Sequence, residues 1–213
     1  MANPFARLRA TRERPTRSLG DIEDAYELTV AALAAALELR DDETGAHTHR
    51  VTELALDLTR HVDPVLADDP QLRYGFLLHD IGKIGIPDRV LAKKTPLTDA
   101  EREQLELHPV LGETLIKGIP YLADTAREVI LHHHERWDGT GYPWGLAGTE
   151  IPLAARIFAI CDAYDAMTNE RPYRAARTHA DALEEIRAGS GTQFDPDLTV
   201  AFATLLPVDP RLE

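Results

Sequence analysis

Cysteine is nearly absent from this chain. Its one residue, Cys161, excludes an internal disulfide and suits a reducing compartment, so a cytoplasmic location is expected. Long apolar runs are missing too: none approaches the ~20 residues of a membrane span. The N-terminal stretch MANPFARLRATRERPTRSLG is basic but lacks an apolar middle. It therefore does not read as a secretory signal, and residues 1–19 are expected to form a flexible tail. Basic residues are in deficit overall, 23 Lys and Arg against 36 Asp and Glu, for a net charge of -13. That balance argues against a nucleic-acid polymer as partner. An anionic ligand would have to be met locally, by metal ions or by placed basic side chains. Strand-like alternation, internal repeats and low-complexity segments are also lacking. What remains is a globular composition, 44% apolar and 28% charged, over 213 residues. One helical domain over 20–213 accounts for it.

The helices announce themselves by composition and spacing. Asp21 to Arg40 is dominated by alanine, leucine and glutamate, which predicts a helix. Further helices are expected over about 44–61, 71–79, 122–134, 178–188 and 197–206, with a buried one over LAARIFAICDAYDAMT. Thr98 with Glu101 three residues on forms a capping box that opens another, with Leu105, Val110, Leu111 and Leu115 as its buried side. The fold class is all-α, a helical bundle.

Polar residues interrupt this pattern in places where a core would not want them. There are nine histidines. His79-Asp80 ends an apolar segment, His132-His133-His134 precedes a glycine-rich loop, and His108 sits in an amphipathic helix. Glu43 and His47 are four apart, hence on one face if helical. Asp162 breaks the run RIFAICDAYDAM and could pair with Arg156 or Arg171. Asp165 lies three residues on, near enough to support a site or to be only a salt-bridge partner. A single helix histidine is usually a surface residue or a satisfied core residue. The collection is different, because imidazoles and carboxylates together suit iron, manganese, zinc or nickel, and buried carboxylates need a compensating cation.

HDIGKIGIPD followed by HHERWDGTGYP resembles the HD-GYP domain, a branch of the HD metal-dependent phosphohydrolase superfamily. The resemblance runs from about Thr44 to Arg174. It implies a helical bundle with a metal site in its core that hydrolyses the phosphodiester bonds of cyclic di-GMP to pGpG or GMP. It further implies that His47, His79, Asp80, His108, His133, His134 and Asp162 bind metal, with His132 an extra histidine. Two metal ions are implied, iron or manganese, and a third where Glu43 supplies another carboxylate. Asp80 resembles the carboxylate that bridges the ions, and a water held between two cations becomes hydroxide near neutral pH.

Lys83 is the corresponding candidate for phosphate binding and charge stabilisation, reached because the glycines around it let the chain turn. Arg171 and Arg174 resemble substrate-phosphate contacts; Arg174 stands where lysine is common, and its planar fork changes the binding geometry. Gly141, Tyr142 and Pro143 belong to the namesake loop, which shapes the pocket and contacts diguanylate cyclase (GGDEF) partners in the family, or simply caps the bundle. Gly139 and Gly141 are expected to supply unusual backbone angles, and Trp137, Tyr142 and Trp144 to pack inside the loop, with stacking on guanine as the alternative. Cys161 reads as core. A homodimer is the expected self-association. Hydrolysis of another cyclic dinucleotide such as cyclic GMP-AMP, or a catalytically inactive module that binds cyclic di-GMP or a cyclase, are the competing readings. Roughly twenty residues precede the first helix, too few for a receiver domain, so regulation is expected from partners, oligomerisation, metal supply or expression, unless this chain is a fragment of a longer protein.

Overall fold

The computed structural model describes residues 19–38, 40, 45–122, 124–170 and 175–206. Eleven α-helices lie within them: α1 (Leu19–Glu38), α2 (Gly45–Val62), α3 (Pro64–Ala67), α4 (Pro70–Leu78), α5 (Asp88–Leu91), α6 (Asp99–Leu105), α7 (His108–Ile116), α8 (Asp124–His132), α9 (Leu153–Thr168), α10 (His179–Ala188) and α11 (Pro196–Leu205). Strands are absent from the described residues apart from two isolated bridges, Asp138 with Ala147 and Ser190 with Phe194. No helix among the described residues is long and apolar enough to cross a membrane.

Two apolar cores share α4. Leu72 and Phe76 pack with Phe158, Ile157, Leu183 and Phe202 on one side. Tyr74, Leu77 and Leu78 pack with Val30, Ile116 and Ile130 on the other. From Tyr74 to Leu78 every residue of α4 is buried, which makes this half of the helix a wedge between α2 and α8. Close packing with α8 depends on Gly75, where a Cβ would lie 2.9 Å from the Ala126 Cα. Asp69 caps the start of α4 by accepting from the Gln71 N–H at 2.9 Å, with Pro70 in the first turn. The helix ends at Leu78, which delivers His79 and Asp80 to the centre of the bundle. Cys161, on α9, is fully buried core.

Two expectations need correction. The predicted single helix after Thr98 is two. The Thr98–Glu101 capping box is present, but α6 stops at Leu105 and α7 starts at His108. Pro109 has no N–H to give the Leu105 carbonyl four residues back; the His108 ring nitrogen Nδ1 takes that carbonyl instead, at 2.8 Å. The break rotates the second half, so His108, Gly112 and Ile116 are buried and Leu115 is half exposed.

The second concerns Gly82. The segment Ile81–Gly85 is a 3₁₀ turn, and Gly82 serves contact rather than turning. A Cβ there would sit 1.8 Å from the His108 carbonyl oxygen and 2.4 Å from the Gly112 nitrogen. Gly82→Ala is therefore expected to force this turn off α7 and to destabilise the fold by about 3 kcal/mol, the upper range for overpacking a core. Thermal denaturation followed by circular dichroism reads this; an unchanged midpoint would show that the contact is not needed.

Candidate metal centre

Five chain segments converge where α4 ends. The centre is Asp80, with a side chain 11% exposed. Its Oδ2 lies 3.1 Å from His79 Nε2 and accepts from Lys83 Nζ at 2.8 Å. Its Oδ1 lies 3.1 Å from His108 Nε2 and 3.7 Å from His133 Nε2. Asp80, His108, His133 and His134 each place one ligand atom within 4.8 Å of all the others. On the other side of His79, His47 Nε2 is 3.3 Å from Asp162 Oδ1. The rings of His47 and His79 are 6.4 Å apart between centroids.

Backbone carbonyls fix how the rings face. His79 Nδ1 donates to Phe76 O at 2.9 Å, His108 Nδ1 to Leu105 O at 2.8 Å, and His133 Nδ1 to Ile130 O at 2.9 Å. A carbonyl only accepts, so Nδ1 carries the hydrogen in each neutral ring and Nε2 presents a lone pair. His108 Nε2 and His133 Nε2 then confront each other at 3.2 Å and both confront Asp80 Oδ1. That oxygen is buried and takes no hydrogen bond. Lone pairs and an anionic oxygen gathered in a buried space repel one another unless a cation lies among them. The donor set, imidazole nitrogen with carboxylate oxygen, is that of first-row transition metals. The residues therefore fit a metal site.

Charge distribution agrees. Burial works to raise the Asp80 carboxyl, but Lys83 and His79 outweigh it and hold it well below the ordinary carboxylate range. Asp162 is likewise held low against burial, by His47 and then His79. Burial, with His108 and His79 nearby, pushes His133 down to about 4. Burial and the neighbouring His133 and His108 also push His134 well below the usual imidazole range. Two neutral imidazoles beside ionised carboxylates are what a metal requires.

The namesake loop roofs the site. The Tyr142 ring tilts over His134, with centroids 4.7 Å apart, and meets the His108 ring at 6.3 Å. Burial pushes the Tyr142 hydroxyl up. Gly139 has a positive φ of 76°, as expected. Gly141 does not; its role is close approach, since a Cβ would lie 2.4 Å from the Arg136 nitrogen. Pro143 follows Tyr142 through a cis peptide bond. Trp137 stays with the loop under the Arg156 guanidinium, whereas Trp144 is 61% exposed and does not pack inside it. Arg156 pairs with Asp195, not with Asp162. His132 points away from the ligand set, 3.8 Å from Glu135. Glu43, Arg171 and Arg174 lie outside the described residues.

Two residues that the sequence reading passed over shape the site. Glu135 looks like one more ligand after three histidines. It is buried, and its carboxylate accepts the Trp144 and Leu146 backbone N–H groups at 2.9 and 3.1 Å. It pins the glycine-rich loop over the centre. Arg50 grips Asp165, which holds His47. The signal for Arg50 was its position one turn after His47.

Known proteins resemble this chain in sequence and in fold. Residues 31–198 match the family model described as HD domain. A cyclic di-GMP phosphodiesterase of Vibrio cholerae serotype O1 is 37% identical over 196 residues, covering 85% of this chain and 40% of that protein. A 3'3'-cGAMP-specific phosphodiesterase of the same organism is 36% identical, covering 84% of this chain and 34% of that one. The chain thus spans less than half the length of these relatives. Among solved structures, a cyclic GMP-AMP-specific phosphodiesterase of V. cholerae superposes with a TM-score of 0.61 at 21% identity, covering 86% of this chain and 49% of that one.

Binding to the folded state alone stabilises it by mass action, about 2.7 kcal/mol at a free metal concentration 100 times the Kd. Chelator-stripped protein is expected to melt higher when Mn²⁺ is restored, and Asp80→Ala to lose most of that rise. Equal melting of stripped and restored wild type would refute a metal at this centre.

Proposed function

The chain belongs to the HD domain family, and we propose that it hydrolyses a phosphodiester bond of cyclic di-GMP with the help of two metal ions. The observation that supports this most directly is the buried Asp80 carboxylate, whose two oxygens face different histidines: Oδ1 faces His108 and His133, Oδ2 faces His79. Asp80, His108, His133 and His134 would hold one ion. His47, His79 and Asp162, with the second Asp80 oxygen, would hold the other. Bound there, the ions supply Lewis-acid charge and a water acidified to near neutral pH. Iron or manganese suits the mixed donors. Glu43 would add a carboxylate for a third ion.

The chain's own residues do the remaining work. Asp80 stays ionised at neutral pH and holds the two histidine groups in register. Lys83 is 14% exposed, and its ammonium at Asp80 Oδ2 is the described cation placed to meet a phosphoryl oxygen and the charge that grows on it. Arg171 and Arg174 would grip the substrate's phosphates. Gly141, Tyr142 and Pro143 close the site from above, with Tyr142 against His134. Diguanylate cyclase domains and a second copy of the chain are the proposed protein partners.

A second reading has an observation behind it. The cyclic GMP-AMP-specific relative is 36% identical against 37% for the cyclic di-GMP enzyme, so similarity does not separate the two substrates. Anaerobically purified protein, assayed for bound metal and for turnover of both dinucleotides, distinguishes them. Cyclic di-GMP is expected to be the better substrate, with pGpG or GMP identified chromatographically. Lys83→Met is expected to lower kcat on the order of 10²-fold, the usual cost of removing one charge-stabilising donor. A faster reaction on 3'3'-cGAMP would transfer the assignment to that substrate. Two bound ions with no turnover of either would leave a binding module.

A further inference from the structure

We infer that Arg50 is a positioning residue for the metal centre, acting through Asp165 to fix the tautomer and direction of His47. The inference rests on the metal reading above. Three of the candidate ligand histidines are oriented by backbone: His79, His108 and His133 each give Nδ1–H to the carbonyl three residues earlier. Those carbonyls belong to the last residues of α4, α6 and α8, where helix carbonyls lack their usual partners. His47 is placed differently. It lies in the first turn of α2, where the unsatisfied backbone groups are N–H donors. Its Nδ1 is held instead by a side chain, Asp165 Oδ2, at 2.6 Å.

A carboxylate does the work of a carbonyl only if it is ionised and cannot turn. Asp165 has a side chain 6% exposed. Arg50 supplies both needs with a planar fork: Nε donates to Oδ1 at 2.7 Å and Nη2 to Oδ2 at 3.0 Å. Asn169 Nδ2 donates to Oδ1 at 2.9 Å. With the carboxylate plane locked, His47 Nε2 is left facing Asp162 Oδ1 at 3.3 Å. The arrangement is a two-by-two across packed helices. His47 and Arg50 are one turn apart on α2, and Asp162 and Asp165 one turn apart on α9. The His47–Asp162 rung provides ligands, and the Arg50–Asp165 rung holds them in place.

A plain inter-helix salt bridge would predict a different outcome, and metal affinity separates the two. Mn²⁺ would be titrated calorimetrically into metal-free wild type, Arg50→Gln, Arg50→Lys and Asp165→Asn, with apo melting points and KM for cyclic di-GMP measured alongside. Arg50 is 41% exposed on its side chain, so its variants are expected to fold. Arg50→Gln should weaken one Mn²⁺ site on the order of tenfold, the lower end for loss of a group that orients a metal ligand. Arg50→Lys should fall between it and wild type, since lysine restores charge without the fork. KM at saturating Mn²⁺ should stay put while kcat falls. A lowered apo melting point with Mn²⁺ affinity unchanged in Arg50→Gln and Asp165→Asn would overturn the inference and leave a structural brace. Wild type that binds no Mn²⁺ would overturn the metal reading itself, and the inference with it.

Discussion

A carboxylate buried among imidazole lone pairs is the constraint on which the rest of this structure turns. Asp80 Oδ1 has no hydrogen-bond donor of its own, and the His108 and His133 Nε2 atoms that face it carry lone pairs, the ring hydrogens being on Nδ1. Such a cluster is costly in a low-dielectric interior, so the fold must force it. The forcing element is α4, whose apolar residues pack into two cores and which carries the residues at its end into the interior. Gly82 extends this by letting the next turn lie directly on the His108 carbonyl. Asp80 and His108 are thereby brought together by backbone packing rather than by mutual attraction.

Helix termini do a second job here. The C-terminal carbonyls that a helix leaves unsatisfied are a nuisance in most proteins. In this one they set histidine tautomers at three helix ends with the same three-residue offset. Pro109 makes the clearest case: by removing an N–H it both ends α6 and frees the carbonyl that orients His108. The one described exception among the rings so held, His47, sits at a helix start, and there a buried aspartate with an arginine behind it replaces the carbonyl.

The sequence exposed much of this and concealed the rest for definable reasons. Helix positions were legible because alanine, leucine and capping residues act locally. The candidate ligands were legible because histidine and aspartate stand out against apolar runs and match a known motif. The α6–α7 break was hidden, since amphipathic spacing continues across it while Pro109 changes its phase; Leu115 was assigned to the wrong face as a result. Glycine is ambiguous in sequence, as the same residue serves a positive φ at Gly139 and a close approach at Gly82 and Gly141. Glu135 was masked by its company, a carboxylate after three histidines that binds the loop's backbone instead. Arg50 was concealed because its partner is 115 residues away, and only tertiary packing joins them.

Charge ties the site to the surface around it. The whole chain carries -13, which repels an anionic dinucleotide at long range. Within the centre, three carboxylates, Asp80, Asp162 and Asp165, face two fixed cations, Lys83 and Arg50. Both cations are committed to those carboxylates, and even a protonated His79 only brings the balance to neutral. Two divalent ions would turn that balance strongly positive. On the proposed reading, then, the ions do more than chemistry. The centre attracts its substrate only when loaded, so metal supply sets binding as well as turnover, and the loaded centre offsets locally the repulsion of the acidic surface.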